Sequence, residues 1–195
     1  MHEAVLDYFR ELTEDARLAT FFEYRRVVEF GSLDINGSVR KFFRDCDYTG
    51  IDLAPGPGVD VVSAAKDWSP EPGSRPVDVV VSTEMLEHDC EWRESLANMA
   101  RVLRPAGLKI LTCAKTGREA HGTITAHSAC SPLTVAMGGE RAEYYRNLTQ
   151  ADIESAIDRV FEWHAFDVNG CDLRFCGITS PLPVCVAVAG PQSSY

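Results

Sequence analysis

The chain has 195 residues, of which 45% are hydrophobic and 25% charged, the balance of an ordinary globular domain. Its length suits one domain over residues 1–195, with a helical segment at 1–24 and a lid over 114–148. A net charge of −10 disfavours nucleic acid, whose phosphates attract clustered Lys and Arg, and apolar runs such as Val77–Val81 and Leu182–Ala189 are too short to cross a bilayer.

In chain order, Val5, Leu6, Phe9, Leu12, Ala16 and Phe21 recur at helical spacing and predict one or two amphipathic helices. Arg26–Phe30 is a β-branched run ending at Gly31, a strand followed by a tight turn, and Gly37–Phe43 reads as the start of a helix. Tyr48–Leu53 and Val59–Val62 are short strands separated by the Pro- and Gly-rich turn Ala54–Gly58. Val77–Ser82 is nearly continuously apolar, as a central parallel strand buried on both faces must be. A helix from Trp92 to Leu103 stops before Pro105, and Leu108–Cys113 is a fifth strand. Residues 114–146 are rich in Gly, Ser, Thr and His without a sustained period, which predicts a functional lid. Thr149 opens a helix as its N-cap, with Asp152 at the third helical position. Phe161–Val168 and Pro183–Ala189 are expected as a closing antiparallel pair. Strands alternating with helices predict a doubly wound α/β fold with seven strands, mostly parallel, and a ligand at their carboxyl ends.

The seven cysteines contain no CxxC pair, so their spacing predicts no zinc site. The acidic start, with Glu3 and Asp7, lacks the basic-then-apolar order of a signal peptide. Reduced thiols and a cytoplasmic location are therefore expected.

The informative cluster lies where the first strand turns. Glu29 precedes Gly31, which permits a sharp bend and close approach of a ligand, and N–H groups of the turn and following helix are available to an anion. The dinucleotide pattern GxGxxG is absent, because Leu33 and Asn36 stand where glycines are needed. About twenty residues after Gly31, Asp52 ends the second strand, where an acid accepts both hydroxyls of a ribose. A retained ribose reader with a weakened phosphate cradle fits a nucleoside cofactor without phosphates better than a nicotinamide dinucleotide.

Val28-Glu29-Phe30-Gly31 with Gly37, Gly50-Ile51-Asp52-Leu53, Asp78–His88 and Val102–Leu108 together resemble the successive motifs of class I S-adenosylmethionine-dependent methyltransferases, most closely those acting on small molecules. The resemblance spans Val27 to Cys113. It implies a Rossmann-like fold, S-adenosylmethionine as cofactor, and a small-molecule methyl acceptor with an O, N or C nucleophile. It also implies roles: Glu29 and Gly31 toward the methionine portion, Asp52 on the ribose, Leu53 against the adenine, and Ser82, Thr83 and Glu84 along the sulfonium side. Ser32, Asn36, Gly37 and Ala65 complete the cofactor-binding candidates. The sequence departs from the pattern at Leu33, where a glycine is usual, leaving the turn to be held by Asp34 and Asn36. It departs again at Ser63–Trp68, where the adenine reader is Asp67, the backbone alone or missing, with Trp68 stacked on or near the base.

His88 matches the family's frequent Glu-His pair and is a catalytic candidate, as a general base or an orienting partner. His121, in the lid, is the second. Of Tyr144 and Tyr145, one is expected to face the pocket and the other to pack. No Tyr-x-x-x-Lys pair supports an oxidoreductase, and no Asn/Asp-Pro-Pro-aromatic run supports a DNA methyltransferase. The remaining alternative is a cofactor-binding protein without catalysis. A monomer or homodimer with no nucleic-acid or membrane partner is expected.

Overall fold

The computed structural model describes residues 3–157 and 160–181. Helix α1 (Glu3–Glu14) precedes strand β1 (Arg26–Phe30), β2 (Asp47–Asp52), β3 (Val61–Val62) and β4 (Val77–Thr83). Helix α2 (Trp92–Val102) leads into β5 (Leu103–Ala114), and the short helices α3 (Pro132–Met137), α4 (Gly139–Glu143) and α5 (Gln150–Ala156) come before β6 (Phe161–Asn169) and β7 (Asp172–Thr179). The seven strands form one sheet in the order β3-β2-β1-β4-β5-β7-β6. β1 to β5 run parallel, and β7 is antiparallel to both β5 and β6.

The alternation of side chains along the strands builds a core on each face. Val27, Val79 and Val81 point to the α1 side, where they meet Val5, Phe9 and Leu12, spaced at i, i+4 and i+7 along one stripe of the helix. Val28, Phe30 and Val80 point to the other side, against Leu96 and Met99 of α2. β4 is buried at every position, in keeping with its unbroken apolar sequence.

Several expectations are corrected. The helix expected from Gly37 is only a 3-10 turn, Val39–Phe42. Its β-branched and aromatic residues favour helix weakly, and Phe42 and Phe43 are drawn into an aromatic cluster with Phe9 and Phe22. β3 begins at Val61 rather than Val59, because the amides of Val59 and Asp60 are turned toward the Gly56 and Gly50 carbonyls. The lid carries α3 and α4 rather than irregular chain alone. The expected strand Pro183–Ala189 lies outside the described residues. The antiparallel partner of β6 is instead Asp172–Thr179, where polar residues disguise an interior strand. Arg174 is buried there because its guanidinium donates to the Ala4 carbonyl at 2.8 Å and Asp167 at 3.3 Å. The capping box at Thr149 and Asp152 forms as predicted. Among the described residues no helix is long and apolar enough to cross a membrane.

Candidate active site at the carboxyl ends of the strands

From β1 the chain moves outward to β2 and β3, then returns to β4 on the other side of β1. This reversal opens a crevice between the carboxyl ends of β1 and β4. Gly31 bends away with φ +79°, and a Cβ there would stand 2.5 Å from Met85 Cβ and Cγ, so only glycine fits beneath the loop that follows β4. The next turn is tied down by its own amides. Gly31 and Ser32 N–H both donate to the Ile51 carbonyl, at 2.9 and 3.2 Å. Leu33 N–H donates to Asp52 Oδ2 at 2.9 Å and Gly37 N–H to Asp34 Oδ1 at 2.7 Å. These N–H groups are therefore not the free anion cradle the sequence suggested, and no α-helix follows to add its dipole. Asp34, without Asn36, holds the turn. Asn36 is exposed and is not among the residues that line the cavity.

Of the other candidates, Glu29, Gly31, Ser32, Gly37, Asp52, Leu53, Ala65, Thr83 and Glu84 line this one cavity, whereas Ser82 is fully buried and does not reach it. Glu29 is only 3% exposed. Burial pushes its carboxyl up to about 7, although the Tyr48 hydroxyl, donating at 2.9 Å, holds it down and Asp52 raises it further. Asp52 is also raised by burial, against the lowering effect of the Leu33 and Leu53 amides. Leu53 N–H donates to its Oδ1 at 2.7 Å, so one backbone donor already sits on each oxygen. On the β3 side, Ala64, Ala65 and Lys66 form the wall. Asn98 of α2 fixes this stretch by donating to the Ala65 and Trp68 carbonyls at 2.7 and 2.8 Å. Trp68 does not reach the cavity: it packs edge-on against Phe30 in the core. Asp67 is exposed and pairs with Lys66, and Lys66 rather than Asp67 lines the wall.

After β4, Glu84 takes the left-handed conformation with φ +54°, strained for a residue with a Cβ. Its amide donates to the Thr112 carbonyl and its carboxylate accepts from the Thr112 hydroxyl, each at 2.9 Å. The kink carries the chain across the crevice into a 3-10 turn, Leu86–His88. His88 reaches the cavity wall, whereas His121 stands outside it, its ring 5.0 Å from that of His88. Tyr145 leans on both, at 5.5 and 4.9 Å, and Tyr144 packs against the core, so neither tyrosine lines the cavity as one was expected to. Burial, with help from His121 and Arg118, pushes His88 down to about 3.

Part of the wall was not anticipated. Cys130, Ser131 and Thr134 reach the cavity from the lid, and Asp89, Glu91 and Arg141 form its rim. Arg141 of α4 donates to Glu91 and lies 4.0 Å from Asp89, clipping the lid to the foot of α2. No local period marks these residues in the sequence. The one available signal was Arg141, which has no acidic residue three or four places away in the chain.

No protein-family model and no curated protein sequence matches the chain. Solved structures do match in fold, and the chain has the fold of class I S-adenosylmethionine-dependent methyltransferases. The 1,6-didemethyltoxoflavin-N1-methyltransferase of Burkholderia thailandensis, solved with 1,6-didemethyltoxoflavin and S-adenosylhomocysteine, superposes with a TM-score of 0.59 at 14% identity, over 91% of this chain and 79% of that one. The N-methyltransferase NodS of Bradyrhizobium japonicum WM9 gives 0.55 at 13% identity, over 90% and 96%. A putative sarcosine dimethylglycine methyltransferase of Galdieria sulphuraria gives 0.55 at 12%, over 92% and 88%.

Proposed function

We propose that the chain is an S-adenosylmethionine-dependent methyltransferase acting on an O, N or C nucleophile of a small molecule. The observation that carries this reading is the convergence of Glu29, Gly31 and Asp52 on one cavity at the switch point of this fold. The fold neighbours crystallised with S-adenosylhomocysteine support the cofactor. A net charge of −10 supports an acceptor other than nucleic acid. The turn after β1 supports a nucleoside over a dinucleotide, since the amides of Gly31, Ser32, Leu33, Asp34 and Gly37 are already taken and no α-helix begins there.

When bound, the cofactor supplies an electrophilic methyl group on a sulfonium sulfur. Asp52 keeps lone pairs beyond those taken by Leu33 and Leu53, enough to accept two ribose hydroxyls. Leu53 and Ala65 offer apolar surface to an adenine. Glu29 is close to half-ionised at neutral pH, and an ammonium group beside it draws the carboxyl to the charged form. Thr83 and Glu84 then flank the reacting centre, where holding the nucleophile in line and excluding water supply the acceleration. His88 is neutral at pH 7, but at about 3 it is a weak base. Its role in this reading is to orient the acceptor by hydrogen bonding rather than to take its proton.

S-adenosylhomocysteine is expected to raise the melting temperature, as any ligand of the native state does. No shift at millimolar ligand would overturn the cofactor assignment. Transfer of labelled methyl from S-adenosylmethionine across amine, hydroxyl and carbon-acid metabolites separates an enzyme from a binding protein without catalysis, because the latter gives the shift and no labelled product.

A further inference from the structure

Behind the wall that His88 presents to the cavity lies a cluster of which the methyl-transfer reading uses only His88. Among the described residues, Glu87, His88 and His121 each place one donor atom within 4.8 Å of the other two. Glu87 is fully buried and its Oε1 accepts from Ala114 N–H at 3.2 Å, while Oε2 is buried with no hydrogen-bond partner. His88, 5% exposed, likewise has Nδ1 buried without a partner. Orphaned buried polar atoms cost free energy unless something binds them, and two belong to residues of this cluster.

We infer that Glu87, His88 and His121 form a binding site for a first-row divalent transition metal such as zinc or manganese. Two imidazoles and a carboxylate are the donor set such ions take, commonly with further positions left open. Side-chain movements of roughly 1 Å bring donors at this spacing to a common ion at about 2.1 Å. The His121 ring is already oriented: Nδ1 lies 3.0 Å from the Glu119 carbonyl, which can only accept. Nδ1 therefore carries the proton and Nε2 keeps its lone pair, the outer hydrogen bond typical of a ligating histidine. Gly122, with φ +67°, lets the lid lie against His88, since a Cβ there would stand 2.6 Å from His88 Cε1. Local charge favours a cation. Glu84, Glu87 and Asp172 gather here with Arg118 as the neighbouring cation, and Arg118 is engaged by Asp172 at 2.7 Å. The neighbouring Asp89, Cys90 and Glu91 group is a weaker candidate, because Ser95, Lys66 and Arg141 already occupy its carboxylates.

His88 lines the cavity, so an oxygen donor of the methyl acceptor could complete the coordination. That consequence rests on the methyl-transfer reading; the ion site does not. The test titrates EDTA-treated full-length protein with zinc chloride and manganese chloride by calorimetry, and follows the visible spectrum with cobalt chloride. One equivalent is expected to bind, with a cobalt spectrum free of thiolate charge transfer. His121→Ala, at a half-buried position, and Glu87→Gln, of unchanged shape, should each weaken binding on the order of 100-fold, and Cys90→Ser should leave it unchanged. Binding weaker than about 1 mM, a thiolate band, or equal affinity in the His121 variant would overturn the site; the His121 variant decides the matter if Glu87→Gln does not fold. S-adenosylhomocysteine binding is measured separately on metal-free protein, so either result can fail without the other.

Discussion

The two ends of the sheet treat their buried acids in opposite ways. At the amino end, Asp78 of β4 accepts from Arg26 N–H at 2.8 Å, Arg75 at 2.8 Å and Arg104 at 2.7 Å. Burial alone would raise this carboxyl, but the amide and the two guanidinium groups outweigh burial and hold it below its ordinary value. At the carboxyl end, Glu29 and Glu87 are buried and Asp52 half-buried, no guanidinium donates to them, and desolvation raises all three. Both ends carry the residues of one motif, since Asp78 and Glu87 lie on the same stretch of chain. The amino end is saturated and serves stability. The carboxyl end is left short of partners, the arrangement of a surface built to receive a ligand.

Replacing Glu29 tests that contrast most severely. Its folded value near 7 lies above the ordinary 4.5, so its stabilising protonated form is present below the ordinary range and lost as pH rises through about 7. We expect Glu29→Gln to stabilise the ligand-free protein at pH 8 by about 3 kcal/mol in urea unfolding while weakening S-adenosylhomocysteine binding. In the parent protein that binding should strengthen as pH rises toward 7 and then level off. A destabilised variant, or flat pH dependence, would mean that Glu29 is a structural acid like Asp78.

Asp78→Ala should have the reverse profile. Its partners are partly exposed and keep their water, which limits the expected loss to about 2 kcal/mol, with ligand affinity of the folded fraction unchanged. The sign of the pH dependence also reverses: Asp78 stabilises above the ordinary carboxylate range, and this is lost as pH falls through its lowered value. Asp52→Ala belongs between the two, because Asp52 both ties the turn at Leu33 and faces the cavity. Calorimetry should find ligand affinity reduced by about 1–2 kcal/mol; unchanged affinity would reduce Asp52 to a brace for the turn.

The β-branched runs at Arg26–Phe30 and Val77–Ser82, the Gly31 bend, the acid at Asp52 and the capping box at Thr149 were legible because each acts over a few residues. Backbone sterics, side-chain alternation and local hydrogen bonds leave their mark directly in the order of residues. The interior strand Asp172–Thr179 was not legible. Arg174 reads as a surface residue until Ala4, from the far end of the chain, supplies its acceptor. The helix expected at Gly37 failed for a similar reason, with Phe42 and Phe43 answering to Phe9 and Phe22 rather than to their own neighbours.

The sequence by itself determined the α/β architecture, the bend at Gly31 and the pairing of that bend with Asp52, since these follow from periodicity and spacing. Only the tertiary structure decided that most amides of the turn are already spent, that His121 stands behind His88, and that Arg141 closes the rim. Those facts depend on how completely each polar group is satisfied by residues distant in the chain. Hydrogen-bond supply and desolvation are properties of the packed molecule, and no local stretch of sequence carries them.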